Sequence, residues 1–515
     1  MGPSLARVAT TTICIMLVAA CGAAPSPSPI ASTSPSPRAA GSPSAPPASS
    51  TMPTPASSST APTAVTSGWP YAMGDAVAVL GPNGTMYLLA GNSQGAYGRI
   101  VTALDAAGHT KPGWPIEARP GSAFATLALG PDGSVFLDEC GGLDVGCAIH
   151  RLGADGREVS GWPFDVPADF ACPSGDQCYS SGLDVGPNGT VYVTSQRVDE
   201  RRLMAIDAGG GMMPGWPLVL DGYDWSEQQL GHDGTVYLIR RPFGTPTFDP
   251  SLGVIDEGAA LVAFGPNGKP RSGWPVPVPN IGRYLIGPDS DVVVWSLLND
   301  VGELCSSPRR TLFTVLGPDG RISSGWPRGS TGFASFPTLG PDGTLYYVSA
   351  THKLYAHDRS GEVMPGWPVA VSGAGGGCGP ESPLVAPDGT IYTVGDEVSA
   401  LSPDGRPLAG WPYRPAAGMI GPCFDTECYG GHAPPVVAAD GSVYLVVYPS
   451  DPSGVRAEVL AIDRRGQLKP GWPYRLPFDA NNVAVGIAGL SADGQLFVRG
   501  GDQLLALDPD GRLSR

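Results

Sequence analysis

"SGWP" occupies residues 67–70, where a tract of Pro, Ser, Ala and Thr gives way to Tyr71 and a chain of mixed composition. Gly-Trp-Pro recurs with Trp at 69, 114, 162, 216, 274, 326, 367, 411 and 472, at intervals of 41 to 61 residues. Nine of the eleven tryptophans serve this one position, which marks an internal repeat. Two further signals lie between consecutive copies. The first reads GPNGTMYL (81–88), GPDGSVFL (130–137), GPNGTVYV (186–193), GPDGTLYY (340–347) or APDGTIYT (386–393), with GPDSDVVV (287–294) its most degraded form. The second reads ALDAAG (103–108), AIDAGG (205–210), AHDRSG (356–361), AIDRRG (461–466) or ALDPDG (506–511). Each signal appears nine times.

Turn chemistry assigns the pieces. Pro-Asp-Gly and Pro-Asn-Gly favour a type I turn with Pro second and Gly left-handed after it, the connection of a tight hairpin. Alternation in Thr190-Val191-Tyr192-Val193 predicts the strand that follows. A third strand ends at Ala-x-Asp, Asp-x-x-Gly makes a second turn, and a fourth strand is expected to run through Gly-Trp-Pro. Nine such units predict an all-β protein, a β-propeller of about nine four-stranded blades. Eight are possible if the degraded fifth unit (283–327) forms no blade. The ninth unit has its third strand and turn at 506–511 but no Gly-Trp-Pro after them, whereas 67–70 supply one with nothing before it. The first copy is therefore expected to complete the last blade, closing the ring with N- and C-terminal strands and covering edges that invite aggregation. In this reading Gly allows close backbone approach, Pro ends pairing at the outer edge, and Trp69, Trp114, Trp162, Trp216, Trp274, Trp326, Trp367, Trp411 and Trp472 dock one blade on the next.

Composition agrees, with Gly (73) and Pro (56) abundant and only 15% of residues charged. All 47 acidic residues and all but two of the 31 basic ones, Arg7 and Arg38, fall in 67–515, so the propeller is acidic and lacks a nucleic-acid footprint. Residues 22–66 cannot supply a core, and their composition predicts a disordered, partly polyproline-II linker. In the first 24 residues Arg7 precedes an apolar run ending in Val18-Ala19-Ala20-Cys21. This resembles a bacterial lipoprotein signal. The resemblance implies a signal peptide over 1–20 and a lipidated Cys21 opening the anchor and linker of 21–66. It also implies export, with attachment to the outer face of the cell membrane through that lipid alone.

Ala-x-Asp-x-x-Gly followed by Trp, with a GTVYV-like strand before it, resembles the repeat of pyrroloquinoline-quinone-type propellers, whose Trp docks blades together. Trp falls eleven residues after Ala here, as from Ala461 to Trp472, one later than in that family. The Gly-Trp-Pro ending also resembles FG-GAP-like propellers. Their Asp-rich calcium loops are missing, because GPDG offers one carboxylate where calcium needs several oxygens. Quinoprotein dehydrogenases of this fold commonly use a vicinal Cys-Cys pair, and this sequence has none. GNSQG (91–95) sits between two strands rather than at a nucleophile elbow. The six histidines (109, 150, 232, 352, 357, 432) show no metal-ligand spacing.

No catalytic residue, metal or cofactor is therefore expected. The sequence favours a monomeric binding or scaffold module for an extracytoplasmic protein or glycan. The alternatives are a quinone- or sugar-dependent oxidoreductase of the quinoprotein type and a structural part of an envelope complex.

Cysteine usage fits export. Cys140 and Cys147, Cys172 and Cys178, and Cys423 and Cys428 form three close pairs, each expected to staple one loop, and Cys305 and Cys378 remain. In a four-stranded meander the uniformly short turns share one face. The other face is expected to carry the loops at 91–99, 138–148, 241–258 and 297–310 and the inter-unit loops at 168–181, 372–381 and 418–433, with all eight of these cysteines. Trp225, Tyr223, Tyr179, Phe424 and Tyr429 lie near those loops and outside the repeat, which makes them candidate partner contacts.

Overall fold

A computed structural model describes residues 68–514 except 93–94, 142–145, 169, 171–178, 197–199, 243–257, 299–309, 373–381, 416–418, 421–434, 449–455 and 478–484. Each Pro-Asp/Asn-Gly segment closes a tight hairpin. In the first, the Gly84 N–H donates to the Gly81 carbonyl (3.0 Å) and the Gly81 N–H to Thr85 O (2.8 Å). Gly84 takes φ 75°, the left-handed region that glycine enters without a Cβ clash.

Every regular element among the described residues is a β-strand, and the pairing is antiparallel. The first unit runs Val77–Leu80, Met86–Asn92, Gly95–Leu104 and Ile116–Glu117, paired in that order. The described strands form eight sheets; the eight-stranded one joins the first two units through the single pair Gly98↔Phe124. Despite its degraded turn, the fifth unit forms a four-stranded sheet of Ile281–Ile286, Val292–Leu298, Arg310–Leu316 and Arg328–Thr331. First strands of successive units lie beside one another, as Ser122–Leu129 beside Tyr179–Val185 and Tyr223–Leu230 beside Ile281–Ile286. The fold is an all-β propeller with first strands innermost.

Gly-Trp-Pro does not end the fourth strand as the sequence suggested; it precedes it. After the Asp105 turn the chain pairs once with the third strand (Leu104↔Thr110), turns again with the Trp114 N–H on Lys111 O (3.1 Å), and only then enters Ile116–Glu117. All nine Trp-Pro peptide bonds are cis. The reason for the shift is docking. A Cβ on Gly113 would lie 1.9 Å from Asp155 O in the next unit, and one on Gly471 1.8 Å from Asp510 O. The motif must therefore lie flat against its neighbour's turn, and a paired strand cannot. The nine Trp rings are 7–8% exposed. Each donates its Nε1–H to a carbonyl of the next unit's second turn, from Trp216 to Pro266 O (2.8 Å) to Trp162 to Ala208 O (3.3 Å).

The core consequently lies in the seams between units. Tyr87, Val101 and Trp114 of the first unit pack with Phe124, Leu137 and Leu152 of the second. The ring closes by the same device. Tyr71 and Ala72 pair with Leu504 and Gln503 in the last sheet, and Trp69 packs with Phe497 and Ala506 while donating to Ala106 O (2.9 Å).

Two expected loops are mostly strand. The third strand already starts at Gly95 and the second extends to Asn92, so 91–99 is largely paired. In 138–148 the second strand reaches Gly141 and the third begins at Cys147. Cys140 and Cys147 are thus directly opposed strand residues joined by a disulfide, not loop cysteines. Cross-strand pairing carries both ladders further than composition implied. Cys172, Cys178, Cys305, Cys378, Cys423, Cys428 and Cys21 lie outside the described residues.

Candidate functional site

In a symmetric repeat, the informative residues are those that break it. The first and last units have first strands without polar side chains: Val77–Leu80 reads VAVL and Val485–Leu490 reads VGIAGL. In the fourth unit Tyr223–Leu230 reads YDWSEQQL, and in the third Tyr179–Val185 carries Asp184. A register shift between Ser226 and Gln229 lets this polar strand bulge. The Gln228 amide then crosses the seam, donating from Nε2 to Asp184 Oδ2 (2.6 Å), while its Oε1 accepts from the Thr194 hydroxyl. Gln229 donates to Tyr284 O on the fifth unit's first strand (2.9 Å). Burial raises the Asp184 pKa, partly countered by the Gln228 hydrogen bond and the Arg201 charge.

Arginines hold the rim above this wall. Arg201 Nη1 donates to Trp225 O, and Arg241 donates to Ser226 Oγ (2.6 Å) and Ile281 O (3.0 Å). Arg240 lies over the Tyr223 ring, 4.6 Å from its centroid. In the second unit Glu139, 1% exposed, accepts from the Arg119 N–H (2.5 Å) and Nε (2.9 Å), the Ser122 hydroxyl and His150 Nε2 (2.8 Å). Burial opposes ionisation of Glu139, but these hydrogen bonds and the Arg119 charge outweigh it and lower its pKa. His150 also meets Glu158 through Nδ1 (3.0 Å). Burial works against its cation, and the hydrogen bonds and charges of Glu158 and Glu139 prevail, raising its pKa.

Ser122, Glu139 and His150 do not form a nucleophile relay. The carboxylate stands between hydroxyl and imidazole, so the imidazole cannot take the serine proton. Among the described residues no group of three or more His, Cys, Asp or Glu could hold a metal ion.

The expected contact residues fall differently. Trp225 is only 6% exposed, packed with Tyr192, Trp216 and Leu220. It is a core residue, because its place in the strand turns the indole into the seam. Tyr223 is half-buried, edge-on to Trp225 and beneath Arg240. Tyr179 opens its strand opposite Gln196. Phe424 and Tyr429 lie outside the described residues. Reading outward aromatics missed Asp184, Gln228 and Arg241, although the polar run DWSEQQ just before a GHDG turn was a usable signal.

No family model matches this chain, and no curated protein matches it. Solved structures similar to it include a eukaryotic initiation factor (TM-score 0.49, 12% identity, 78% of this chain and 87% of that one). BamB from Moraxella catarrhalis has a TM-score of 0.38 at 13% identity, covering 74% of this chain and 95% of that one. The Dos1 propeller has 0.37 at 12% identity, covering 85% and 92%.

Proposed function

We propose that this propeller is a binding or scaffold module for an extracytoplasmic protein or glycan, held outside the bacterial cell membrane by a lipid on Cys21. The lipobox-like Val18-Ala19-Ala20-Cys21 supports the tether, and the Ala-x-Asp-x-x-Gly-to-Trp pattern supports assigning the repeat to the pyrroloquinoline-quinone-like class. The partner site is the inner wall and rim of units three to five. One observation carries this. In the other units the two corresponding residues ahead of the first turn are free of carboxylate and amide side chains, as in Ala78-Val79, Leu127-Ala128 and Tyr284-Leu285, so the fold does not require Asp184, Gln228 or Gln229 there. Burying such groups costs free energy unless something is gained by it.

A photo-crosslinking amino acid at Gln228, compared with one at Val79 on the first unit's inner strand, tests the reading on intact cells. We expect one discrete adduct from position 228 and none from 79. Equal capture at both positions, or none at either, would sink the assignment.

A further inference from the structure

Each unit's third strand ends on a residue that shares a core with the tryptophan of the unit before it. In eight of the nine units that residue is Leu, Ile or Phe, as with Leu152 and Trp114, Phe264 and Trp216, or Leu507 and Trp472. The third strand of the sixth unit, Lys353–His357, ends on a histidine instead. His357 is 5% exposed, and its ring centroid lies 5.9 Å from that of Trp326 in the fifth unit. In the fifth unit's second strand Val293 stands where other units set a Tyr or Phe edge-on to their tryptophan, as Tyr444 is to Trp472. Imidazole is thus the ring that Trp326 meets, and the seam rests on it.

The surroundings of His357 suit the neutral ring. Gly361 O can only accept, so Nδ1 carries the proton and donates to it (2.9 Å), which leaves the Nε2 lone pair to accept from the Tyr347 hydroxyl (3.4 Å). Burial raises the Tyr347 pKa and keeps that hydroxyl a donor. Tyr347 and Tyr355 stack on the imidazole, their planes 11° and 14° from its own. Arg328 faces it from the fifth unit and is paired across the seam with Glu362, while Asp358 lies on the following turn. Burial, aided by the Arg328 charge, lowers the His357 pKa against the pull of Gly361 O, Asp358 and Glu362. A proton on Nε2 would remove the acceptor of the Tyr347 hydroxyl and put a charge where sister seams hold hydrocarbon.

We propose that the fifth-to-sixth seam is an acid-labile joint, the place where the ring loosens first when His357 takes up a proton. The contribution of His357 is complete above pH 6.5 and is lost as pH falls from there toward the folded-state value. Asp291, which lines the same seam, acts with the opposite sign, because burial raises its pKa and acid favours its folded form. The joint is separate from the inner wall of units three to five and does not depend on it.

Amide hydrogen exchange of the purified full chain at about pH 7.5 and about pH 5, corrected for the chemical exchange rate, provides the test. The control is 458–468, whose seam keeps the same Arg-Asp bridge, Arg464 to Asp388 as Arg359 to Asp289, but packs Ile462 with Trp411. We expect protection of 353–363 to fall at the lower pH by at least about threefold more than that of 458–468. His357→Leu, which installs the residue that most sister units carry, should abolish the difference. An equal response in the two segments, or a difference that persists in His357→Leu, overturns the proposal. Should that variant not fold, exchange of the imidazole C2–H in the tryptic peptide 354–359 of the unaltered chain decides the matter. A midpoint below pH 6.5 supports the joint, and one at or above it refutes the joint.

Discussion

Glu139 and His150 show how single side chains tie one unit together around a buried charge. His150 has its pKa raised above 6.5, so its contribution to stability is complete below that pH and is lost as pH rises through the folded-state value. Glu139 has its pKa lowered below 4.5, so its contribution is complete above that pH and is lost as pH falls through its folded-state value. The pair therefore stabilises fully between pH 4.5 and 6.5. Melts of the parent chain and His150→Gln should differ most in that window, with the gap closing toward alkaline pH. A pH-independent gap would show that the imidazole acts through packing alone. Glu139→Gln at pH 5.5 should cost about 1–3 kcal/mol, because it takes the charge from the buried acceptor shared by Arg119, Ser122 and His150.

Among elements, the hairpin turn is the most repeated device, and its one defect can be measured. Ser290 holds φ 65° where equivalent residues such as Gly84 and Gly189 are glycines at 75° and 79°. A side chain there costs about 1–2 kcal/mol, and the extra unfolded-state freedom of glycine takes back about 0.4–1 kcal/mol. Ser290→Gly should therefore stabilise by roughly 0.5–1 kcal/mol. Gly189→Ser should destabilise comparably. Its new Cβ would sit 3.4 Å from the Ala208 Cβ, an ordinary contact, so the cost is conformational rather than steric. Denaturant midpoints that moved in the opposite order would show that the turns are held by something other than backbone preference.

At the scale of the molecule, every unit is held by its neighbours, so stability depends on the ring being shut. The closing seam has a staple of its own: Gln495 Nε2 donates to Ala106 O (2.9 Å), the carbonyl that also accepts from Trp69, and to Ser514 Oγ (2.8 Å). Removing residues 68–75 would take away Trp69 and the strand Tyr71–Ala72, and would uncover the edge at Gln503–Leu507. Loss of one buried Trp alone costs about 3–5 kcal/mol. The shortened chain should melt well below the parent and self-associate through the open edge. An unchanged melting temperature would show that the ring holds without its clasp.

The sequence by itself determined the repeat, the hairpins and the closure. Pro-Asn-Gly at 82–84, the alternation at 190–193 and the orphan Gly-Trp-Pro at 68–70 act through backbone preferences and period-two burial, which operate within a few residues. It also marked Trp as the docking residue, since one large ring repeated nine times in a chain of short strands has only a seam to fill. Tertiary structure alone decided what crosses the seams. Gly-Trp-Pro sits ahead of the outer strand because the next unit's turn occupies the space a Cβ would need. Trp225 is buried because its indole faces the core between units. Asp184, Thr194 and Gln228 belong to two units and meet only when their inner strands are brought side by side. Such contacts depend on the curvature of the whole ring, and no local run of residues encodes that curvature.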